Sequence, residues 1–168
     1  MSYKNSIIVM SILLLFVTIA GCSLHPKIKP EESYMRIKPV APLSEYEQSQ
    51  MPNNLEIVID NVADMAGSYK NRIELYVNKY QIEPEEIYNY KSTYKYSLKL
   101  QPGHYKVQAK YYAHSGWQEQ SFKIKTRENV KVYLDKKAVL TITLQKNHWG
   151  GLKDKENYFK IDYQSVAD

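Results

Sequence analysis

The chain has one cysteine in 168 residues, Cys22, and four histidines. With a single thiol no internal disulfide can form, so stability has to come from buried apolar area or from a partner. The histidines, His25, His104, His114 and His148, are far apart, three of them in predicted turns or loops, and none has the paired spacing of a local metal motif. A Gly-x-Ser-x-Gly turn and a phosphate-cradling glycine loop are both missing. The acidic cluster Glu83, Glu85 and Glu86 lacks the Asp/Asn/Gly spacing that gives a calcium loop its geometry, and reads as solvated loop charge. No metal, no cofactor and no catalytic constellation are therefore expected. Neither sign of charge dominates: a net charge of +5 implies weak attraction to anionic polymers and no more. Long apolar runs are scarce too. The longest, Ile7 to Ala20, has 14 residues, short of the roughly 20 that a spanning helix needs. What is present, 43% hydrophobic and 24% charged residues, suits one globular domain with extensions and excludes a disordered chain or a polytopic membrane protein.

The lone cysteine takes its meaning from its surroundings. Lys4 gives a positive start, the aliphatic run ends in the small residues Ala20 and Gly21, and Cys22 follows, which is the layout of an export signal. Ile19-Ala20-Gly21-Cys22-Ser23 resembles the acylation box of bacterial lipoproteins. The resemblance implies that residues 1–21 are a signal peptide that is removed. It also implies that Cys22 carries a diacylglyceryl group on sulfur and a fatty-acyl chain such as palmitate on its new amino terminus. Each buried CH2 stabilises by about 0.8 kcal/mol, so two or three chains form an effectively permanent membrane anchor. In that class an aspartate after the cysteine tends to retain the protein in the inner membrane; Ser23 leans toward the outer membrane in a cell that has two.

Residues 22–54 hold five of the seven prolines (Pro26, Pro30, Pro39, Pro42, Pro52) among Lys, Glu, Ser and Gln. Proline removes backbone donors and favours extended chain, so the segment reads as a tether with a reach on the order of 30 Å. The rival reading makes Tyr34-Met35-Arg36-Ile37 and Leu43 to Tyr46 docking segments, for a partner or for the domain itself.

From Leu55 to about Gln145 apolar residues alternate with period two, the mark of half-buried strands. Leu55, Ile57 and Ile59 share one face, as do Ile73, Leu75 and Val77, with Arg72, Glu74 and Tyr76 opposite. Tyr94, Tyr96, Leu98 and Leu100 form a third inward set. Tyr105, Val107, Ala109 and Tyr111 form a fourth, after the turn signal Gln101-Pro102-Gly103-His104. Phe122 and Ile124, then Val130, Val132 and Leu134, then Leu140, Ile142 and Leu144 continue the pattern, with Lys136-Lys137 as a short turn. Strands recurring about every ten residues predict an all-β fold, a small antiparallel β-sandwich. The residues on either side of Pro102-Gly103 are expected to pair as a hairpin, and Gln81 to Lys91 to cross between sheets.

Leu98-Lys99-Leu100-Gln101-Pro102-Gly103-His104-Tyr105-Lys106-Val107 is similar to the Leu-x-Pro-Gly-x-Tyr-x-Val hairpin of PEGA domains, small prealbumin-like sandwiches of bacterial surface proteins. Glu74-Leu75-Tyr76-Val77-Asn78 precedes it and two more strands follow, so the likeness covers Ile73 to Leu144. Two positions depart from the pattern: the glycine after the first strand is absent at Lys79-Tyr80, and Gly116-Trp117 replaces Gly-Tyr. The resemblance implies a non-catalytic scaffold or binding module.

In the hairpin register Lys99 lies opposite Lys106, and Lys95 opposite Lys110. Like charges across strands cost stability, so such a face points to an anionic partner, an acidic glycan or lipopolysaccharide, against the plainer reading of an aggregation-resistant edge. Tyr76, Tyr112 and Tyr133 on outer faces, with Trp117 near a turn, add a candidate stacking surface. The tail 146–168 contains Phe159, Ile161 and Tyr163 in alternation, an edge strand of the domain or a strand added to a partner. Together these features lead to the expectation of a membrane-anchored envelope accessory or adaptor protein that binds another envelope protein. The alternative is a glycan- or cell-wall-binding module. Nucleic acid is not an expected partner of an exported chain.

Overall fold

A computed structural model describes residues 25–38, 44–60, 71–87, 93–115, 118–147, 151–154 and 156–165. The segment expected to be an acylation box, Ile19 to Ser23, and Trp117 lie outside them. The strands are β1 (Lys27–Ile28), β2 (Leu55–Asp60), β3 (Asn71–Val77), β4 (Tyr80–Ile82), β5 (Glu86–Ile87), β6 (Tyr94–Leu98), β7 (Gly103–Tyr105), β8 (Val107–Ser115), β9 (Gln118–Lys125), β10 (Val130–Val132), β11 (Lys136–Thr143), β12 (Asn157–Tyr158) and β13 (Lys160–Ser165). The protein is all-β. A six-stranded sheet runs β1-β4-β3-β8-β9-β12, a five-stranded sheet β13-β11-β2-β6-β5, and β7 pairs with β10.

Alternation places the core. Leu55, Ile57 and Ile59 of β2, Tyr96 and Leu98 of β6 and Ala138 and Leu140 of β11 are buried on one sheet, and Leu75 and Val77 of β3, Val107, Ala109 and Tyr111 of β8 and Ile124 of β9 on the other. All belong to a single hydrophobic cluster. The sheets are mixed rather than purely antiparallel: β2 runs parallel to β11, β1 to β4 and β12 to β9. Register set by facing apolar side chains satisfies either direction, and period-two patterning does not encode which one is used.

Three sequence expectations are corrected. The strands flanking Pro102-Gly103 do not pair with each other. β6 pairs with β2 and β5, and β8 pairs with β3 and β9, so residues 99–106 carry the chain from one sheet to the other. Gly103, at φ +155°, sits at this corner in a conformation that other residues rarely adopt. The tyrosine of the Pro-Gly motif, Tyr105, donates its hydroxyl to the Gln101 carbonyl at 2.5 Å and locks the corner. Second, Leu134, assigned to an inner face, is 56% exposed, because β10 ends at Val132 and β11 already begins at Lys136.

Third, the tether reading fails for residues 25–38. Lys27 and Ile28 add a parallel strand to β4, and Ile28, Tyr34 and Ile37 are buried. A 3-10 turn Pro30–Glu32 leads into a helix Ser33–Ile37, and the Ser33 hydroxyl donates to the Lys99 carbonyl at 2.8 Å. Proline at the start of a helical turn costs nothing in hydrogen bonds, which is why Pro30 suits this docked segment. A second helix, Glu45–Gln50, opens with a capping box between Ser44 and Glu47. In the tail, β13 docks antiparallel on β11 as an edge of the five-stranded sheet.

Candidate functional site

The four lysines expected to face one another are dispersed. Lys99 donates to the Gln48 carbonyl at 2.8 Å and so satisfies an orphan carbonyl at the end of the helix Glu45–Gln50. Lys95 lies 3.9 Å from the Glu56 carboxylate, which Lys137 also meets. Lys110 stands across from Glu74 on one side and Lys123 on the other, with its ammonium 5.3 Å from the Tyr76 ring. Lys106 is exposed, and its backbone is clamped to Asn78: the Asn78 N–H donates to the Lys106 carbonyl at 2.8 Å, and the Lys106 N–H donates to the Asn78 side-chain oxygen at 3.0 Å. The lysine stripe depended on a β6–β8 register that does not exist.

Two of the outer tyrosines do converge, on a residue the sequence did not single out. On the outer face of the six-stranded sheet the Tyr76 hydroxyl donates to the Glu74 carboxylate at 2.6 Å and the Tyr112 hydroxyl at 2.9 Å, while Arg72 binds the same carboxylate. Arg72 also pairs with Glu119 at 3.1 Å and lies 3.6 Å above the Tyr112 ring. Burial alone would push the Glu74 carboxyl up, but the Tyr76, Tyr112 and Arg72 hydrogen bonds outweigh it and hold the group below its ordinary value. Burial, then the bond to ionised Glu74, raises both tyrosine hydroxyls. His25 covers the Tyr76 ring edge-on at 4.9 Å, leaving Tyr76 only 8% exposed. A carboxylate saturated by three donors and two phenols held protonated make a lock between β3 and β8, not an open stacking platform.

Tyr133 sits elsewhere, beside the edge strand β13. Its ring meets Tyr163 edge-on at 5.9 Å, and the Lys131 and Lys136 ammonium groups approach it at 4.8 and 5.7 Å. Tyr163 and Leu134 are 46% and 56% exposed. The outer edge of β13 has no strand beyond it among the described residues, so its backbone donors and acceptors are open to a further strand. Alternation marked Ile161 and Tyr163 as a strand; the pairing of Tyr163 with Tyr133 arises only once β13 meets β11.

Two open clefts are lined by described residues. One, of about 340 Å³, is walled by the docked N-terminal segment and the capped helix, with Tyr34, Gln48 and Lys99 in its lining. The other, of about 330 Å³, is lined by Lys125, Thr126, Arg127, Glu156 and Tyr158. Among the described residues no three His, Cys, Asp or Glu side chains gather as a metal site, and no helix is long and apolar enough to cross a membrane. Comparison with protein-family models, with curated proteins and with solved structures yields no match.

Proposed function

We propose that the chain is an envelope lipoprotein, cleaved after residue 21 and acylated at Cys22, whose β-domain is a non-catalytic adaptor for another envelope protein. The anchor half rests on Ile19-Ala20-Gly21-Cys22 at the end of a 14-residue apolar run. The binding half rests on one observation, the open edge of β13 with exposed Tyr163 and Leu134 beside it. Strand addition there supplies main-chain hydrogen bonds, and the aromatic and aliphatic side chains supply specificity. Anchoring raises the effective concentration of such an edge at the membrane, so a weak contact is enough.

The test is photo-cross-linking in intact cells from a reactive residue at Gln164, with Ser121 on the outer face of the six-stranded sheet as control. One envelope protein captured from Gln164 and not from Ser121 is the expected result. Capture of wall or polysaccharide fragments alone would contradict the adaptor role and favour the glycan-binding module.

A further inference from the structure

One end of the six-stranded sheet is basic, and it is the end that holds His25, the first of the described residues. The parallel β1–β4 pair, the β3–β4 turn, the start of β8, the end of β9 and the end of β12 all reach this end, as the registers Lys27↔Gln81, Val77↔Tyr80, Val77↔Val107, Gln108↔Lys125 and Tyr158↔Lys125 require. Hydrogen bonds tie the loops together: the His25 ring donates to the Lys79 carbonyl at 2.9 Å, and the Thr126 N–H to the Val107 carbonyl at 3.3 Å. Lys27, Lys79, Lys106, Lys125 and Arg127 are carried here and all are exposed. Among the described residues none of the five makes an ion pair. The acidic side chains nearby are Glu128 and Glu156, and the Glu156 carboxylate already accepts the Tyr158 hydroxyl at 2.6 Å.

Tyrosines are interleaved with these cations. The Lys79 ammonium lies 5.4 Å from the Tyr80 ring, and Lys125 and Arg127 flank the Tyr158 ring at 5.4 and 4.9 Å, walling the second cleft. Tyrosine and lysine together are the side chains that settle at a membrane–water interface.

We propose that this rim is a membrane-facing surface that binds the head groups of anionic phospholipids and fixes this end of the sheet against the bilayer. The inference rests on the lipid-anchor reading. His25, the first residue held by the sheet, follows Cys22 by three positions, a contour of at most about 11 Å. The surface potential of an anionic leaflet decays within a Debye length, about 8 Å at physiological salt. The anchor therefore holds the rim where that potential acts. Each Lys or Arg so placed adds about fivefold to the partition constant, so five of them orient a domain that the acyl chains have already brought to the surface.

The experiment uses the full acylated protein reconstituted into vesicles of phosphatidylglycerol or of phosphatidylcholine, with its acylation state read from intact mass. An amine-reactive ester labels the lysines, and mass spectrometry gives the rate at each one. Lys27, Lys79, Lys106 and Lys125 are expected to react several-fold more slowly on phosphatidylglycerol, and the protection is expected to vanish at about 0.5 M salt, where the Debye length shrinks to about 4 Å. Lys95 of β6, three strands from Lys160 across the five-stranded sheet, should react alike on both. Replacing Lys79, Lys106 and Lys125 by glutamine together should also abolish the protection of Lys27. Equal rates on both vesicles for a chain acylated at Cys22 would overturn the rim and leave the anchor standing. A chain that keeps residues 1–21 and a free Cys22 thiol would overturn both.

Discussion

Asn54 is almost fully buried, yet each of its polar groups is used. Its side-chain amide donates to the Leu100 and Tyr133 carbonyls at 2.8 and 3.1 Å, and its side-chain oxygen accepts the Leu100 N–H at 2.8 Å. Its backbone reaches Leu98 and Ala138. One residue thus ties the ends of β6 and β10 to the starts of β2 and β11. Asn54→Ala leaves buried backbone groups without partners and should cost about 2–4 kcal/mol, measured by urea unfolding. Tyr96 is the counterpart, since its buried hydroxyl has no partner among the described residues. Tyr96→Phe should leave stability within about 0.5 kcal/mol of the parent or raise it. A Tyr96→Phe loss as large as that of Asn54→Ala would show that the hydroxyl is satisfied after all. Neither role was legible in the sequence. Asn54 lies in a polar stretch, and the groups it satisfies exist only after distant strands assemble.

Glu74 allows a pH test at the same scale. Its carboxyl is held below the ordinary value in the folded state. Its contribution is therefore fully present above the unfolded value, about 4.3, and is lost as pH falls through the depressed folded one. Glu74→Gln should lower stability at neutral pH by about 1–2 kcal/mol and flatten the acid limb of the stability curve. An unchanged acid limb would mean that the carboxylate is not the linked group. Sequence alternation did place Arg72, Glu74 and Tyr76 on one outer face. It missed the convergence on Glu74 because Tyr112 comes from β8, and it missed the second partner of Arg72 because Glu119 comes from β9.

At the scale of elements, the docked segment 25–38 is the least expected feature. Ile28, Tyr34 and Ile37 are few and scattered in a proline-bearing stretch, so no periodicity announced them. Each nonetheless closes the core beside a sheet. Ile28→Ala should cost about 2–4 kcal/mol. It should also make residues 25–38 susceptible to proteolysis before the other strands are, because β1 is a two-residue edge strand and Ile28 is its one buried side chain. Uniform resistance would show that the segment is not part of the cooperative unit. The β6–β8 corner teaches the reverse lesson. Pro102-Gly103 marked a break between strands, but the chain bends there and crosses from one sheet to the other instead of reversing into a hairpin, because turn chemistry is local and does not state which strand each arm joins. Asn78, at φ +53°, takes the left-handed position between β3 and β4, a conformation that asparagine adopts more readily than most residues.

For the whole molecule, the all-β class and most core faces were readable, because a chain without disulfides must bury alternating side chains to fold at all. Sheet order, strand direction and the basic rim were not, since each depends on which distant strands are neighbours. Loss of the tether reading changes the functional picture most. With residues 25–38 held on the sheet, a lipid at Cys22, as proposed, would keep the domain against the bilayer and offer β13 to neighbours in the same membrane.

Intact-mass spectrometry of the protein extracted by detergent from cell membranes tests that account most directly. The account predicts a chain that begins at Cys22 and carries the added mass of a diacylglyceryl group and an amide-linked fatty acid. A chain that starts at Met1 with an unmodified Cys22 thiol would contradict it.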